Sequence, residues 1–270
     1  MKTEFSVPIG SQPLKLAAFG TCRLHNSLKL LEGSGHVTLL PAIAGFSHSS
    51  AEINQHIDIA LGNKPLPNEA MKPLGYTAAL NRNLNTTAEL RGTIDPADIV
   101  LIEISSLKLY KHKDYYGQSN RISEHLGVPV SILDSALLHG DYSQVPDKKL
   151  HALAEFEARI QDLPECRKTL KEILAKLAPK PIILLNHFLV EPDPNGRFIA
   201  RRRLRAMLKR LREENPERLF HFDPTPLLRR FNWPIEDMAH YEESFKHVVA
   251  LELRRYLAQA VLPVSKGLTA

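Results

Sequence analysis

Cys22 is the side chain of this sequence whose setting best suits a nucleophile. It follows Gly20 and Thr21, directly after a short apolar run, and Arg23 comes next. The positive N-terminal end of a helix beginning here favours a thiolate, and the Arg23 charge adds to that effect. A tight turn at this point also exposes the side chain. The pattern therefore predicts a reactive thiol; the structural alternative is a small buried side chain that packs well.

A general base for this thiol is found near the other end of the chain. Asp237 precedes His240 by three residues, so that a carboxylate one turn away accepts a hydrogen bond from the imidazole. Such a carboxylate fixes the tautomer and stabilises the imidazolium, as in a catalytic triad. We predict a Cys22–His240–Asp237 site for acyl transfer through a covalent intermediate. The alternative is a helix N-cap at Asp237, with His240 merely in the first turn.

Apolar runs and helical spacing predict the elements that position these residues. Strands are expected over 14–19, 36–43, 97–104, 181–185 and 218–222. Helices are expected over 23–31, 76–84, 200–214 and 241–261, and over 148–177 with a break near Pro164. Strands that alternate with helices predict an α/β fold, a three-layer doubly wound sandwich around a mostly parallel five-stranded sheet. We expect a single domain, 1–270, with an insertion at about 107–150 over the carboxyl end of the sheet.

Ligands of such sheets bind beyond the carboxyl ends of the strands. The polar candidates for oxyanion or substrate contacts at these ends are Gly45, His48, Ser105, Ser106 and Asn186. Backbone N–H groups of Cys22 and of the Gly45 loop are expected as oxyanion donors, with one side chain from the two serines or Asn186. The alternative is that they are ordinary strand-end or loop residues. Glu103, inside an apolar strand, is interpreted as a hydrogen-bonded structural residue.

Composition and charge argue against several classes of protein. Two cysteines make neither a disulfide framework nor a zinc site, and no metal is expected. The net charge of +5 comes without aromatic–basic interleaving, so nucleic acid is not the expected partner. No apolar run reaches the roughly 20 residues of a membrane span, and the N-terminus is too polar for a signal peptide, which predicts a cytoplasmic protein. The basic segment 200–214 is interpreted as a solvated helix face, the alternative being a contact with phosphates or an anionic glycan.

The order of these motifs resembles the SGNH (GDSL-type) hydrolase superfamily. Gly20-Thr21-Cys22 is similar to its Gly-Asp-Ser block with Cys for Ser, Gly45 stands where its second-block glycine does, and Asp237-x-x-His240 matches its last block. The third block, Gly-x-Asn-Asp, is replaced by Glu103-Ile104-Ser105-Ser106, so the oxyanion asparagine is absent from its place. The Cys-for-Ser branch resembles GSCFA-type proteins and acetyltransferases of bacterial polysaccharide biosynthesis.

This resemblance implies an acetyltransferase or esterase acting on a carbohydrate or polysaccharide precursor. It implies acetyl-CoA as an acyl donor and no other cofactor. The alternative is an inactive SGNH-like domain that binds a glycan or a partner protein, which the missing third block favours. A nucleotide-binding α/β protein is the third reading, weakened by the lack of a glycine-rich phosphate loop.

Overall fold

The computed structural model of the protein describes residues 12–66, 73–74, 76, 86–190, 193, 196, 198–237 and 240–261. The helix predicted over 76–84 lies largely outside these residues.

A five-stranded sheet forms the centre of the molecule, with the strand order β2-β1-β3-β7-β8. Its strands are β1 (Leu14–Phe19), β2 (Val37–Leu39), β3 (Ile99–Ile104), β7 (Ile182–Asn186) and β8 (Leu219–Phe222). Neighbouring strands are parallel in every pair. This is the flavodoxin-like order with one reversal point, beside β1. The predicted strands are confirmed, although β2 is shorter than the expected 36–43.

Ten helices are present in the described part of the chain. They are α1 (Cys22–Gly33), α2 (Ser50–Ala60), α3 (Thr87–Arg91), α4 (Ser119–Leu126), α5 (Val130–His139), α6 (Asp147–Leu153), α7 (Leu163–Lys176), α8 (Ile199–Glu214), α9 (Thr225–Arg230) and α10 (Glu243–Val261). None of them has the length and apolarity needed to span a bilayer.

Two hydrophobic clusters cover the two faces of the sheet. Every residue of β3 is buried, and its side chains alternate between the clusters: Val100 and Ile102 pack with α2, α7 and α8, whereas Ile99 and Leu101 pack with α1 and α10. This alternation follows from the two-residue period of a strand, and it explains why a doubly covered strand reads as a continuous apolar run. The three-layer doubly wound α/β fold predicted from the sequence is confirmed.

A second, small antiparallel sheet lies partly in the segment predicted as an insertion, at about 107–150, and extends beyond it. Strands β4 (Lys108–His112), β5 (Tyr115–Gly117) and β6 (Phe156–Ile160) are arranged in the order β5-β4-β6. The prediction of one helical stretch over 148–177 is therefore wrong, because α6 ends before β6 and α7 starts after it. Pro164 lies in the first turn of α7 and does not break a helix, since that turn has no need of the missing N–H.

Candidate active site

Cys22 is the first residue of helix α1, at the carboxyl end of β1. Its thiol is free and partly exposed. Thr21 is the N-cap residue of α1, yet its side chain does not bond to the amides of the first turn. The helix also has no acidic residue in that turn. The thiol therefore lies at a helix N-terminus that no side chain of Thr21 blocks.

The Thr21 hydroxyl is instead directed at Glu103 of β3. The Glu103 Oε2 atom accepts from the backbone N–H of Thr21 at 2.8 Å and from its Oγ1 at 2.5 Å. The Oε1 atom accepts from Nε of Arg23 at 3.0 Å and lies 2.9 Å from its Nη2. One buried carboxylate thus binds both neighbours of Cys22.

Electrostatics keep this buried group ionised. Burial alone would raise the pKa of Glu103, but the charge of Arg23 and the hydrogen bonds from Thr21 outweigh it and hold that pKa below its ordinary value. In return, Glu103 keeps the pKa of Arg23 raised against the opposing effect of burial. The pair is therefore an ion pair at neutral pH. The interpretation of Glu103 as hydrogen-bonded and structural agrees with these contacts.

Gly20 is required by the close approach of β3 to this turn. A Cβ atom at Gly20 would lie 2.7 Å from the Cβ of Glu103, a separation that real Cβ atoms do not show. The Gly20 carbonyl accepts from the backbone N–H of Ser47 at 2.9 Å, which ties the turn to the Gly45–Ser50 loop. Local packing therefore explains the glycine at position 20.

His48, in that loop, is held by its backbone. Its carbonyl accepts from the N–H groups of Ser105 at 2.9 Å and Ser106 at 3.0 Å, and its own N–H donates to Glu52 at 2.8 Å. Burial lowers the pKa of His48 to about 4, so the ring is neutral. Its Nε2 lies 2.9 Å from the amide nitrogen of Gln118, which donates to it.

The two serines contribute mainly to holding this loop. The Ser106 hydroxyl accepts from the backbone N–H of Lys108 at 3.0 Å, and the Ser105 hydroxyl lies 3.5 Å from the His48 carbonyl. Gly45 is partly buried, with a guanidinium nitrogen of Arg121 3.7 Å from the position a Cβ would take. The structure thus brings Gly45, His48 and both serines to the edge of the sheet where Cys22 lies.

The side-chain amide of Asn186 is fully hydrogen-bonded within the protein. Its amide nitrogen donates to the His187 carbonyl at 2.9 Å and to Asp223 at 3.1 Å, and its carbonyl accepts from Nε2 of His221 at 2.7 Å. Both amide hydrogens are used. The expectation that Asn186 supplies an oxyanion hydrogen bond is therefore not supported by this arrangement.

Asp237 and His240 form a hydrogen-bonded pair. The His240 Nδ1 lies 2.8 Å from Oδ2 and 3.0 Å from Oδ1 of Asp237, and the His240 backbone N–H donates to Oδ1 at 2.7 Å. The side chain of His240 is 47% exposed, and that of Asp237 is 54% exposed. Because a carboxylate only accepts, Nδ1 carries the hydrogen and Nε2 is left as an acceptor.

Tyr241, the residue after His240, lies in the same region as Arg23, the residue after Cys22. Tyr241 is buried, and its ring centroid lies 5.3 Å from that of Phe188. The Cζ atom of Arg23 lies 5.9 Å from the Phe188 centroid. The chain neighbours of His240 and Cys22 thus share one aromatic contact.

A match to a family model over most of the chain identifies the family of this protein. A family model described as the TviD N-terminal domain matches residues 14–256, from β1 into α10. The chain belongs to the TviD N-terminal domain family. The match includes both the Cys22 turn and the Asp237–His240 pair.

Other comparisons add little to this assignment. No curated protein matches this chain at a significant level. Among solved structures, a family 3 carbohydrate esterase of Clostridium thermocellum is similar over 92% of this chain and 100% of that chain, with 12% identity and a TM-score of 0.40. A likeness at that level does not bear on substrate or mechanism.

Two further residues of this TviD-family chain face the same region, and the first of them, Arg201, was not recognised in the sequence as a candidate. The Arg201 guanidinium lies over Phe188 and Phe198, at 5.9 and 4.9 Å from their centroids. Burial, with the nearby charge of Arg23, lowers the pKa of Arg201 to about 10. Its position at the start of a basic run gave no signal separating it from the solvated arginines that follow.

His187 is the second of these residues. It is buried, and its Nδ1 donates to the Phe188 carbonyl at 3.2 Å. Burial, aided by the charges of Arg23 and Arg201, lowers the pKa of His187 well below its ordinary value. The ring is therefore neutral at physiological pH. Its place directly after a buried strand was the only signal in the sequence.

The charge of the molecule is concentrated on two helices. Helices α7 and α8 carry eleven basic and four acidic residues, a net +7, whereas the whole chain carries +5. The rest of the chain is therefore net −2. Within the described ranges, no group of three His, Cys, Asp or Glu side chains is placed to bind a metal ion.

Proposed function

We propose that the protein is an acyl-transfer enzyme acting on a carbohydrate, as an acetyltransferase or an esterase. Cys22 is the nucleophile, His240 the general acid and base, and Asp237 the residue that orients the imidazole. The observation that supports this proposal is the hydrogen-bonded Asp237–His240 pair, 2.8 Å apart. Its neighbour Tyr241 packs on Phe188, the ring that also contacts Arg23 beside Cys22. The resemblance of these blocks to SGNH hydrolases supports the same assignment.

The proposed reaction has two halves. His240 Nε2 accepts the thiol proton, and the Cys22 sulfur attacks the acyl carbonyl carbon. The tetrahedral intermediate collapses to an acyl-Cys22 thioester, and the leaving alcohol or thiol takes the proton from His240. A sugar hydroxyl or water then attacks the thioester, giving its proton to His240, which returns it to the departing sulfur. An acetyl thioester such as acetyl-CoA serves the transferase, whereas the esterase needs only its ester substrate.

The start of α1 supplies the proposed oxyanion donor. Because Thr21 turns its hydroxyl to Glu103, it does not occupy the amides of the first turn. Among the described residues, the backbone N–H of Cys22 has no acceptor. An N–H at a helix N-terminus stabilises a developing negative charge. The proposed second donor is an N–H of the Gly45 loop.

Acylation of the intact protein tests this proposal. We expect a small activated acetyl ester to add one acetyl group to the wild type and none to Cys22→Ala. Cys166→Ala is the matched control and should be acylated like the wild type, because Cys166 is fully buried and burial raises its pKa to about 11. Circular dichroism and the melting temperature check that both variants fold. Acetylation of Cys22→Ala at the wild-type rate would overturn the assignment.

The arrangement of Asn186 favours a second function, a glycan-binding domain without catalysis. The third-block asparagine is absent, and Asn186 has no amide hydrogen left for an oxyanion. In that case the wild type binds a glycan but is not acylated, and Cys22→Ala leaves the affinity unchanged. Glycan binding and acylation measured on the same two proteins separate the two functions.

A further inference from the structure

The Glu103 carboxylate touches both chain neighbours of Cys22 but is not needed to fill the core. It is 3% exposed, at a position of β3 where the other five residues are apolar. Replacing a buried ion pair by apolar side chains of similar size often leaves stability unchanged or improved. The presence of a charged pair here thus needs an explanation other than stability.

The geometry gives an explanation for the charged pair, because each contact of Glu103 is made with the turn that carries the thiol. Glu103 holds Thr21 through its N–H and hydroxyl, and Arg23 through two guanidinium nitrogens. The first pair of contacts keeps the Thr21 side chain away from the first-turn amides. The second places a positive and a negative group side by side, at the residue that follows Cys22 in the chain.

We propose that Glu103 is the positioning residue of the Cys22 turn, fixing the thiol at an open helix N-terminus and offsetting the charge of Arg23 beside it. Its catalytic meaning rests on the proposed function of Cys22. The positioning role is independent of that function, because it concerns the reactivity of the thiol toward any electrophile.

The other titratable groups facing the pair do not obscure a measurement between pH 6.5 and 9. They are His25, His48, His187, Tyr241 and Arg201. Burial lowers the pKa of each of the three histidines and raises that of Tyr241, so that these groups stay neutral in this range. Arg201, with a pKa lowered to about 10 by burial, stays charged. His240 is removed as a variable by repeating the series in a His240→Gln background.

The test is the pH profile of alkylation of Cys22 by iodoacetamide, read by mass spectrometry of the intact chain. Glu103→Gln leaves Arg23 uncompensated, so the half-maximal pH should fall by about one unit, a roughly tenfold faster reaction below that pH. Arg23→Gln leaves the carboxylate uncompensated, so the half-maximal pH should rise by about the same amount. Asp98→Asn is the matched control: Asp98 binds the Lys15 N–H at the opposite end of the β1–β3 pair, at 2.8 Å, and its loss should change nothing.

Opposite shifts support the proposal. Shifts of both variants in one direction, or no shift in either, overturn the proposed charge offset, because a carboxylate and a guanidinium act on a thiolate in opposite senses. Alkylation needs no catalysis, so these results stay readable if Cys22→Ala shows that the proposed function is wrong.

A second variant covers the case in which a single change prevents folding, since breaking one half of a buried pair is strongly destabilising. Glu103→Leu with Arg23→Met removes both charges and leaves Thr21 without its acceptor. Amide hydrogen exchange of the peptide containing Thr21 and Cys22 should then become at least about tenfold faster, while that of β1 stays as in the wild type. Unchanged exchange at the turn would overturn the positioning role.

Discussion

Asp237 determines which nitrogen of His240 is available as the proposed general base. By accepting the Nδ1 hydrogen at 2.8 Å it leaves Nε2 as the basic atom, and it stabilises the imidazolium once Nε2 has taken a proton. Both side chains are about half exposed, so solvent screens the interaction between them.

Asp237→Asn is therefore expected to lower the rate of acyl transfer by about 10²- to 10⁴-fold. The asparagine keeps the size of the side chain but loses its charge, so KM should change little while kcat falls. Steady-state kinetics with an acetyl ester measure both constants. Glu236→Gln, one residue away and exposed, is the control and should keep the wild-type kcat; an equal loss there would point to a general charge effect.

Short sequence separation explains which contacts of the candidate site were predictable. Asp237 and His240 are three residues apart, and Cys22 is marked by the turn that contains it. The partners of Glu103 lie 80 and 82 residues away in the chain, and Asn186 is bound by His221 and Asp223 from the neighbouring strand. No local pattern reports such contacts, so the sequence indicated a strand-end asparagine but not that its amide is already used.

At the scale of elements, the turn between β1 and α1 depends on the absence of a side chain at Gly20. Gly20→Ala places a Cβ 2.7 Å from the Cβ of Glu103, which is fixed in a fully buried strand. We expect a loss of about 1–3 kcal/mol in the free energy of unfolding, because the turn must move away from β3. Cys22 alkylation should change together with stability.

Gly33→Ala is the matched control for this substitution. Gly33 is the last residue of the same helix, is exposed, and a Cβ there would meet nothing within 4 Å. An alanine should leave stability equal or up to about 1 kcal/mol higher. Urea unfolding of the two variants measures the difference; equal stabilities would show that the turn is not closely packed against β3.

The same packing explains which elements the sequence predicted. The central strands are buried on both faces, so their apolar runs mark them in the sequence within a few residues. Strand β6 has the sequence Phe-Glu-Ala-Arg-Ile, with only Phe156 buried. It is a strand because it pairs with β4, more than 40 residues earlier, and a polar surface strand of this kind is not distinguishable from a helix by pattern.

At the scale of the whole molecule, buried titratable groups determine how stability depends on pH. Burial lowers the pKa of His48, His56 and His221 to about 4 each, and it raises the pKa of Glu52 to about 8. Below pH 6.5 these histidines bind protons in the unfolded chain but stay neutral in the folded chain. The free energy of unfolding therefore falls as the pH is lowered. Between about pH 4.5 and 8 Glu52 is protonated in the folded chain and ionised in the unfolded chain. Its contribution therefore lowers the free energy of unfolding as the pH rises.

Stability is accordingly expected to be greatest near pH 6.5–7 and to fall by up to about 1.4 kcal/mol per pH unit between 7 and 8. Melting temperatures from pH 5 to 9 measure the profile. Glu52→Gln should flatten the alkaline side, because the amide mimics the neutral acid, and leave the acid side as it is. A stability that keeps rising from pH 7 to 8 in the wild type would contradict the burial of an acidic proton at Glu52.

The uneven charge of helices α7 and α8 has a consequence for how the molecule meets other surfaces. With a net +7 on these two helices and −2 elsewhere, the protein has a permanent dipole moment as well as a net charge. At physiological ionic strength the screening length is about 8 Å, which is shorter than the width of the molecule. A charged surface that approaches the protein therefore interacts mainly with the charges on the nearest face. A negatively charged surface is therefore met by α7 and α8 first, and the strength of adsorption reflects that face and not the average of the whole.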